Sequence, residues 1–407
     1  MSGHVEARPV GGKLLDPLMK TLLALFGVSV AVMAYRFVTG VGTVSNMTDG
    51  YAWGIWEPVN VVVFTGIGAG AYAVGLLCYL FNKGKYHPFV RPAVLLGAIA
   101  YSLGAASILI ALGRYWNAYL LPLPQLWNLG SALLEVALCV MTYVAVLWVE
   151  VLPSILEAAR KSDSPAWARF GAKWGGLLSK AMPYVIALAM VLPTMHQSSL
   201  GGLMLIAGPK IHPLWHTALL PLLFLVSCLS MGYAAVVVLT TILNVTWGAK
   251  HDQALFARMS KLNAALLLGY AFVRVGDIAL SGKLRYLAVA DFHLFFFGLE
   301  LALFVVPAFL FLSPKVQRNK GRLFGASLLT LAGGALYRVD TYLTAYNGGE
   351  GFQYMPSVGE TVITIGMAAI GMAVFIFVAR LFPVVVIDDA RKTPNAGGGS
   401  VRAAASR

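Results

Sequence analysis

Ten stretches of about twenty predominantly apolar residues, each long enough to cross ~30 Å of hydrocarbon, leave this chain few soluble folds to choose from. They fall near 19–40, 58–81, 92–113, 127–149, 182–207, 217–243, 262–281, 292–312, 322–343 and 360–383. The fifth is interrupted by Pro193 and His196, and the ninth ends in Arg338 and Asp340. Of 407 residues, 59% are apolar and 12% charged, against ~25% charged in soluble domains, which excludes a soluble enzyme. The pattern predicts an all-α, polytopic integral membrane bundle of about ten transmembrane helices over 19–383. A cytoplasmic N-terminal segment, 1–18, precedes it, and a Gly-, Ala- and Ser-rich flexible cytoplasmic tail, 384–407, follows.

The basic residues test the count. Assigned to alternate sides, 23 Lys and Arg fall on the side that holds both termini, and 7 fall on the other side or within the runs. By the positive-inside rule both termini are cytoplasmic, so the net charge of +13 reports topology and not a nucleic-acid partner. The first run lacks a small-residue cleavage site and reads as an uncleaved helix. Cys78, Cys139 and Cys228 lie far apart within apolar runs, which leaves no ligand set for an iron–sulfur cluster and no disulfide framework. Electrons, if the chain handles them, arrive from another subunit's clusters.

An ionisable side chain inside a span is costly and therefore marks function. At ~1.5 Å per residue, Glu135 falls about 12 Å below Trp127, His196 about 15 Å below its outer helix end, Arg274 and Asp277 about 6 to 11 Å, and Glu300 about 12 Å. These five share the outer half of the bilayer; the inner half holds hardly a charge. Arg274 and Asp277, three residues apart, read as a mutually neutralising pair or, with Glu300, as a proton relay. His212 and His216 are four apart but sit in a Pro-bounded loop without an acid or thiolate in sequence beside them, so no metal site is expected. Only His196 and His293 lie at a depth suited to haem ligation, and His293 stands at a helix start, so no haem is expected in this chain.

A quinone needs donors to its carbonyls and groups that move two protons with two electrons. Glu135 suits proton handling, His196 or Tyr101 the hold on a carbonyl, and Arg114 or Arg274 the balance of developing negative charge. The same set also suits a proton-coupled transporter with a midplane site. The outer stretches 41–57 and 344–359, with Trp53, Trp56, Tyr346 and Tyr354 beside Asp49, Glu57 and Glu350, read as an interfacial aromatic belt or a docking surface.

The runs Tyr86-His87-Pro88-Phe89-Val90-Arg91-Pro92, Gly113-Arg114-Tyr115-Trp116-Asn117, Leu192-Pro193-Thr194-Met195-His196-Gln197-Ser198-Ser199 and Lys210-Ile211-His212-Pro213-Leu214-Trp215 carry a family likeness. They resemble the HybB-type membrane subunits of periplasmic [NiFe] hydrogenases, within the NrfD/polysulfide-reductase membrane-anchor family. The likeness covers nearly the whole chain. It implies a multi-pass subunit of the bacterial inner membrane, not itself catalytic for hydrogen, with menaquinone or ubiquinone as substrate and no haem or iron–sulfur cluster of its own. The implied partners are a periplasmic ferredoxin-like iron–sulfur subunit, the [NiFe] hydrogenase small and large subunits, quinone and the lipid bilayer, with no nucleic acid. By the same likeness Glu135 matches a membrane glutamate tied to quinone and proton handling, and Asp277 stands where relatives carry Glu. Ala111 and Leu239 stand where some relatives carry acids, which leaves an inner carboxylate path in doubt. A molybdopterin oxidoreductase in place of the hydrogenase is the nearest alternative.

Overall fold

A computed structural model describes residues 6–388. Its long helices are α1 (Pro17–Thr39), α2 (Trp56–Leu80), α3 (Val90–Ala111), α4 (Ala132–Arg160), α5 (Pro165–Ile206), α6 (Leu220–Trp247), α7 (Gln253–Leu280), α8 (Phe292–Leu312), α9 (Lys320–Val339) and α10 (Val358–Leu381). Among the described residues, nine of these are long and apolar enough to cross a membrane by composition alone; α9 falls short. Parity supplies the tenth crossing. Ala7–Arg8 (β1) pairs antiparallel with Val385–Val386 (β2), so both chain ends lie on one face and the number of crossings is even. We call this the termini face and its opposite the distal face.

The β1–β2 pair also corrects the expected tail. Val385 and Val386 pair with β1, and Val384 and Val385 are almost completely buried as their side chains enter the core beneath the pair. The remainder of the tail, from 389, and residues 1–5 lie outside the described residues.

Large apolar side chains such as Phe272, Leu280 and Val38 are 80%, 91% and 86% exposed, a surface stable in lipid and not in water. Helix α5 is longer than its apolar run because Pro165 at its first turn starts the helix well before the membrane. Its 42 residues reach ~63 Å, and the added turns carry Arg169, Lys173 and Lys180 with exposed Trp167, Phe170 and Trp174, an interfacial composition.

The interior is set by small residues and broken helix geometry. Helix α2 contains π-type turns at Trp56–Val63 and Leu76–Leu80, the first of which includes Pro58. A Cβ on Gly232 of α6 would lie 2.6 Å from the Ala69 carbonyl oxygen, so glycine lets α6 and α2 meet backbone to backbone. A Cβ on Gly66 would stand 3.2 Å from Arg338 Nε, so the same crowding makes room for a buried guanidinium.

Candidate functional site

Two polar networks occupy the packed interior. In the first, Glu300 of α8 is completely buried and accepts from Trp215 Nε1 (2.7 Å), Tyr270 hydroxyl (2.7 Å) and Arg274 Nε (3.5 Å). Arg274 Nη1 also donates to the Leu214 carbonyl at 2.7 Å, and its guanidinium faces the rings of Phe297 and Tyr337. Each charge is thus paired and hydrogen-bonded, the condition under which a buried ion pair persists.

The second network centres on Arg338 of α9, whose guanidinium donates to the carbonyls of Val62 (3.2 Å) and Gly334 (3.0 Å), to Ser227 (3.3 Å) and to Gln197 Oε1 (3.3 Å). Gln197 Nε2 passes the chain on to Thr65 (3.2 Å) and to the Tyr101 hydroxyl (3.3 Å). Tyr101 stands edge-on to His196, with centroids 5.4 Å apart. His196 is fully buried, and neither of its ring nitrogens has a hydrogen-bond partner. One turn along α5, Ser199 donates to Glu135 Oε1 at 2.5 Å.

These positions sort the expected site residues. Tyr101 and His196 come together, whereas Glu135 bonds Ser199, three residues along α5 from His196, and makes no hydrogen bond to either of them. Glu135 is shallower than helix arithmetic from Trp127 placed it: α4 begins only at Ala132, capped by Ser131, so Glu135 lies in the first turn and is exposed. Arg114 is exposed in the loop after α3 and does not enter the cluster. Arg274 and Asp277 do not neutralise each other. Arg274 turns inward to Glu300, whereas Asp277 pairs with Lys283 at 3.4 Å, because the helix face they share meets α8 at one position and the loop at the other.

Arg338, Gln197 and Thr65 were missed. Arg338 had a signal in the sequence, a charge at the end of the ninth run, but it read as a helix end; Asp340 beside it is also completely buried. The half toward the termini face is less empty of carboxylates than the sequence indicated. Glu150 of α4 lines a cavity of about 1020 Å³ at the termini face, together with Arg91, Arg160 and Lys250.

On the distal face the aromatic loops are knit together. Tyr51 hydroxyl donates to the Tyr346 carbonyl (2.9 Å), Trp53 Nε1 to the Tyr342 carbonyl (3.1 Å), and Tyr354 hydroxyl to Glu360 Oε1 (2.6 Å). Burial, then the bond to Glu360, pushes the Tyr354 hydroxyl above its usual range, so it remains a donor. Trp116 and Tyr119 stay exposed, at 60% and 66%.

Residues 43–346 match the family described as Polysulphide reductase, NrfD. The chain belongs to this family. It is also 33% identical to the probable Ni/Fe-hydrogenase 2 b-type cytochrome subunit of Escherichia coli, over 93% of this chain and 95% of that one. A second relative, 26% identical over 60% of this chain and 58% of its own length, is the menaquinone reductase integral membrane subunit of Nitratidesulfovibrio vulgaris.

The first of these names overturns one expectation. A b-type cytochrome is by name a haem protein, and the haemless reading drawn from the histidine count does not stand against it. His196, buried with both nitrogens unpartnered, is the histidine that would offer its imidazole to a haem iron. Its ring contact is Tyr101, while His212 and His293 stack on each other, so the described residues do not complete a bis-histidine site.

Proposed function

We propose that this NrfD-family protein is the quinone-reactive membrane subunit of a periplasmic [NiFe] hydrogenase. It passes electrons between a ferredoxin-like iron–sulfur subunit and the quinone pool. The observation that carries the reading is His196: a buried imidazole without a partner in the protein, beside Tyr101 and one turn from the Ser199–Glu135 bond. Buried polar groups are rarely left unsatisfied, and a quinone carbonyl supplies the acceptor that this corner needs. The relatives' names support the two ends of the chain of electron transfer, one a hydrogenase subunit and the other a menaquinone reductase subunit.

The excess of Lys and Arg at the termini face supports placing that face in the cytoplasm of a bacterial inner membrane, with the distal loops toward the periplasmic partners. Hydrogen oxidised in the partner yields two protons and two electrons. Both electrons go to the quinone, and two protons complete the quinol. His196 and Tyr101 orient the carbonyl, and Glu135, reached by solvent or headgroups at the lip of α4, hands protons inward through Ser199. Arg338, held through Gln197, places fixed positive charge behind Tyr101, where it stabilises reduced quinone.

The test is hydrogen-dependent menaquinone reduction by the purified complex. Glu135→Gln and His196→Ala are expected to lower the rate while hydrogen oxidation with a soluble acceptor stays intact. Wild-type quinone reduction in both variants overturns the site.

A further inference from the structure

On the distal face, the loop between α5 and α6 brings His212 against the start of α8. The two imidazoles of His212 and His293 stack nearly parallel, 4.2 Å between centroids and 4° between planes, and Asp291 Oδ2 lies 3.1 Å from His293 Nδ1. One ligand atom from each of His212, Asp291 and His293 falls within 4.8 Å of the others. We propose that these three side chains form a site for a divalent transition-metal ion of the zinc class.

The chemistry and the spacing both point there. Two imidazoles and one carboxylate are a zinc-type donor set, and three protein ligands leave the fourth tetrahedral position to water. With bonds of ~2.0 Å, tetrahedral ligands stand about 3.3 Å apart, so Asp291 and His293 are already spaced for it and side-chain rotation closes the rest. The scaffold is firm. The His212 amide donates to the Ala345 carbonyl at 2.8 Å, and Asp291 is the N-cap of α8, accepting from the Leu294 amide at 2.9 Å. Rings wall the cluster: Tyr286 lies 5.7 Å and Trp215 6.0 Å from the His212 ring. The rings cover the histidine side of the cluster, and exposed Asp291 leaves the other side open to water. His216, the neighbour that sequence spacing would have paired with His212, is absent from the cluster.

The location gives the ion a structural task. It would tie the loop after α5 to the head of α8, directly above Trp215, which donates to Glu300. A metal here therefore braces the distal end of the Arg274–Glu300 network without entering the quinone corner at His196.

The experiment titrates the untagged full chain in detergent with Co²⁺ alone, read by its d–d absorption, and with Zn²⁺, read by thermal unfolding. Wild type and His216→Ala are expected to bind one Co²⁺ per chain and to melt higher with Zn²⁺. His293→Ala and Asp291→Asn are expected to lose at least tenfold in Co²⁺ affinity and the Zn²⁺ shift. Asparagine retains the cap acceptor, so loss in Asp291→Asn reports the ligand and not the helix start. No Co²⁺ binding by wild type, or equal binding by His293→Ala and Asp291→Asn, overturns the site.

Discussion

Arg274 on α7 meets Glu300 on α8 across 3.5 Å in a fully buried setting, although Asp277 stands one turn away on its own helix. The choice follows from desolvation. Glu300 is held at both oxygens, Oε2 by Trp215 and Oε1 by Tyr270, and Arg274 meets the same Oε1 as Tyr270, whereas Asp277 keeps a partly exposed lysine. Removing one partner strands the other in the interior. Glu300→Leu and Arg274→Met are each expected to destabilise the subunit by about 3–5 kcal/mol. Arg274→Met with Glu300→Leu should cost less than the sum of the two, because no unpaired charge remains. Denaturant unfolding of the four proteins in detergent checks this, and additive losses would refute the pairing.

Tyr101→Phe removes the hydroxyl that accepts from Gln197 and leaves the ring against His196. If that hydroxyl holds a quinone carbonyl, its loss should cost about 1–1.5 kcal/mol, a roughly tenfold fall in kcat/KM for quinone. Hydrogen oxidation with a water-soluble acceptor should not change. The comparison with Tyr143→Phe is the control: Tyr143 packs on Tyr101 at 4.6 Å, but its hydroxyl makes no hydrogen bond to the network.

The helices were legible because each span must satisfy its own backbone in lipid, which forces long apolar runs. The ninth run ends in charge, Arg338 in the last turn of α9 and Asp340 just beyond it, and both fold into the interior. Position along one helix was legible too, and His196, Arg274 and Glu300 stand as far from their helix ends as counting turns placed them. Which helix faces which was not. Arg274 finds Glu300, Gln197 finds Arg338 and His212 finds His293 only through contacts between distant elements, and a single sequence holds no record of those partners. Glu135 failed for a different reason: a loop of irregular turns before Ser131 consumed residues that were counted as helix.

Gly232 and Gly27 separate packing from propensity. A Cβ at Gly232 would meet the Ala69 carbonyl oxygen at 2.6 Å, while Gly27 of α1 has nothing within 4 Å of the same position. Gly232→Val is expected to force α6 from α2 and to destabilise by about 1–3 kcal/mol. Gly27→Ala should be neutral or stabilising by up to about 1 kcal/mol, from helix propensity alone. Thermal unfolding of both variants reads the difference, and equal effects would remove the close helix contact from the account.

Asp16 clasps the two chain ends at the termini face. Its carboxylate accepts from the Met19 amide at 2.8 Å as the cap of α1 and pairs with Arg380 near the end of α10. The Met19 amide first, and Arg380 next, hold its pKa below the ordinary 3.8. Since the folded value is depressed, the clasp contributes fully above pH ~4 and is lost as pH falls through the folded value. Amide exchange at Met19 and Lys20 should therefore quicken as the pH drops below about 4, beyond the intrinsic pH trend of exchange. In Asp16→Asn that added dependence should vanish, because the amide cap survives and the titrating charge does not. An unchanged acid response in Asp16→Asn would assign the loosening to another carboxylate.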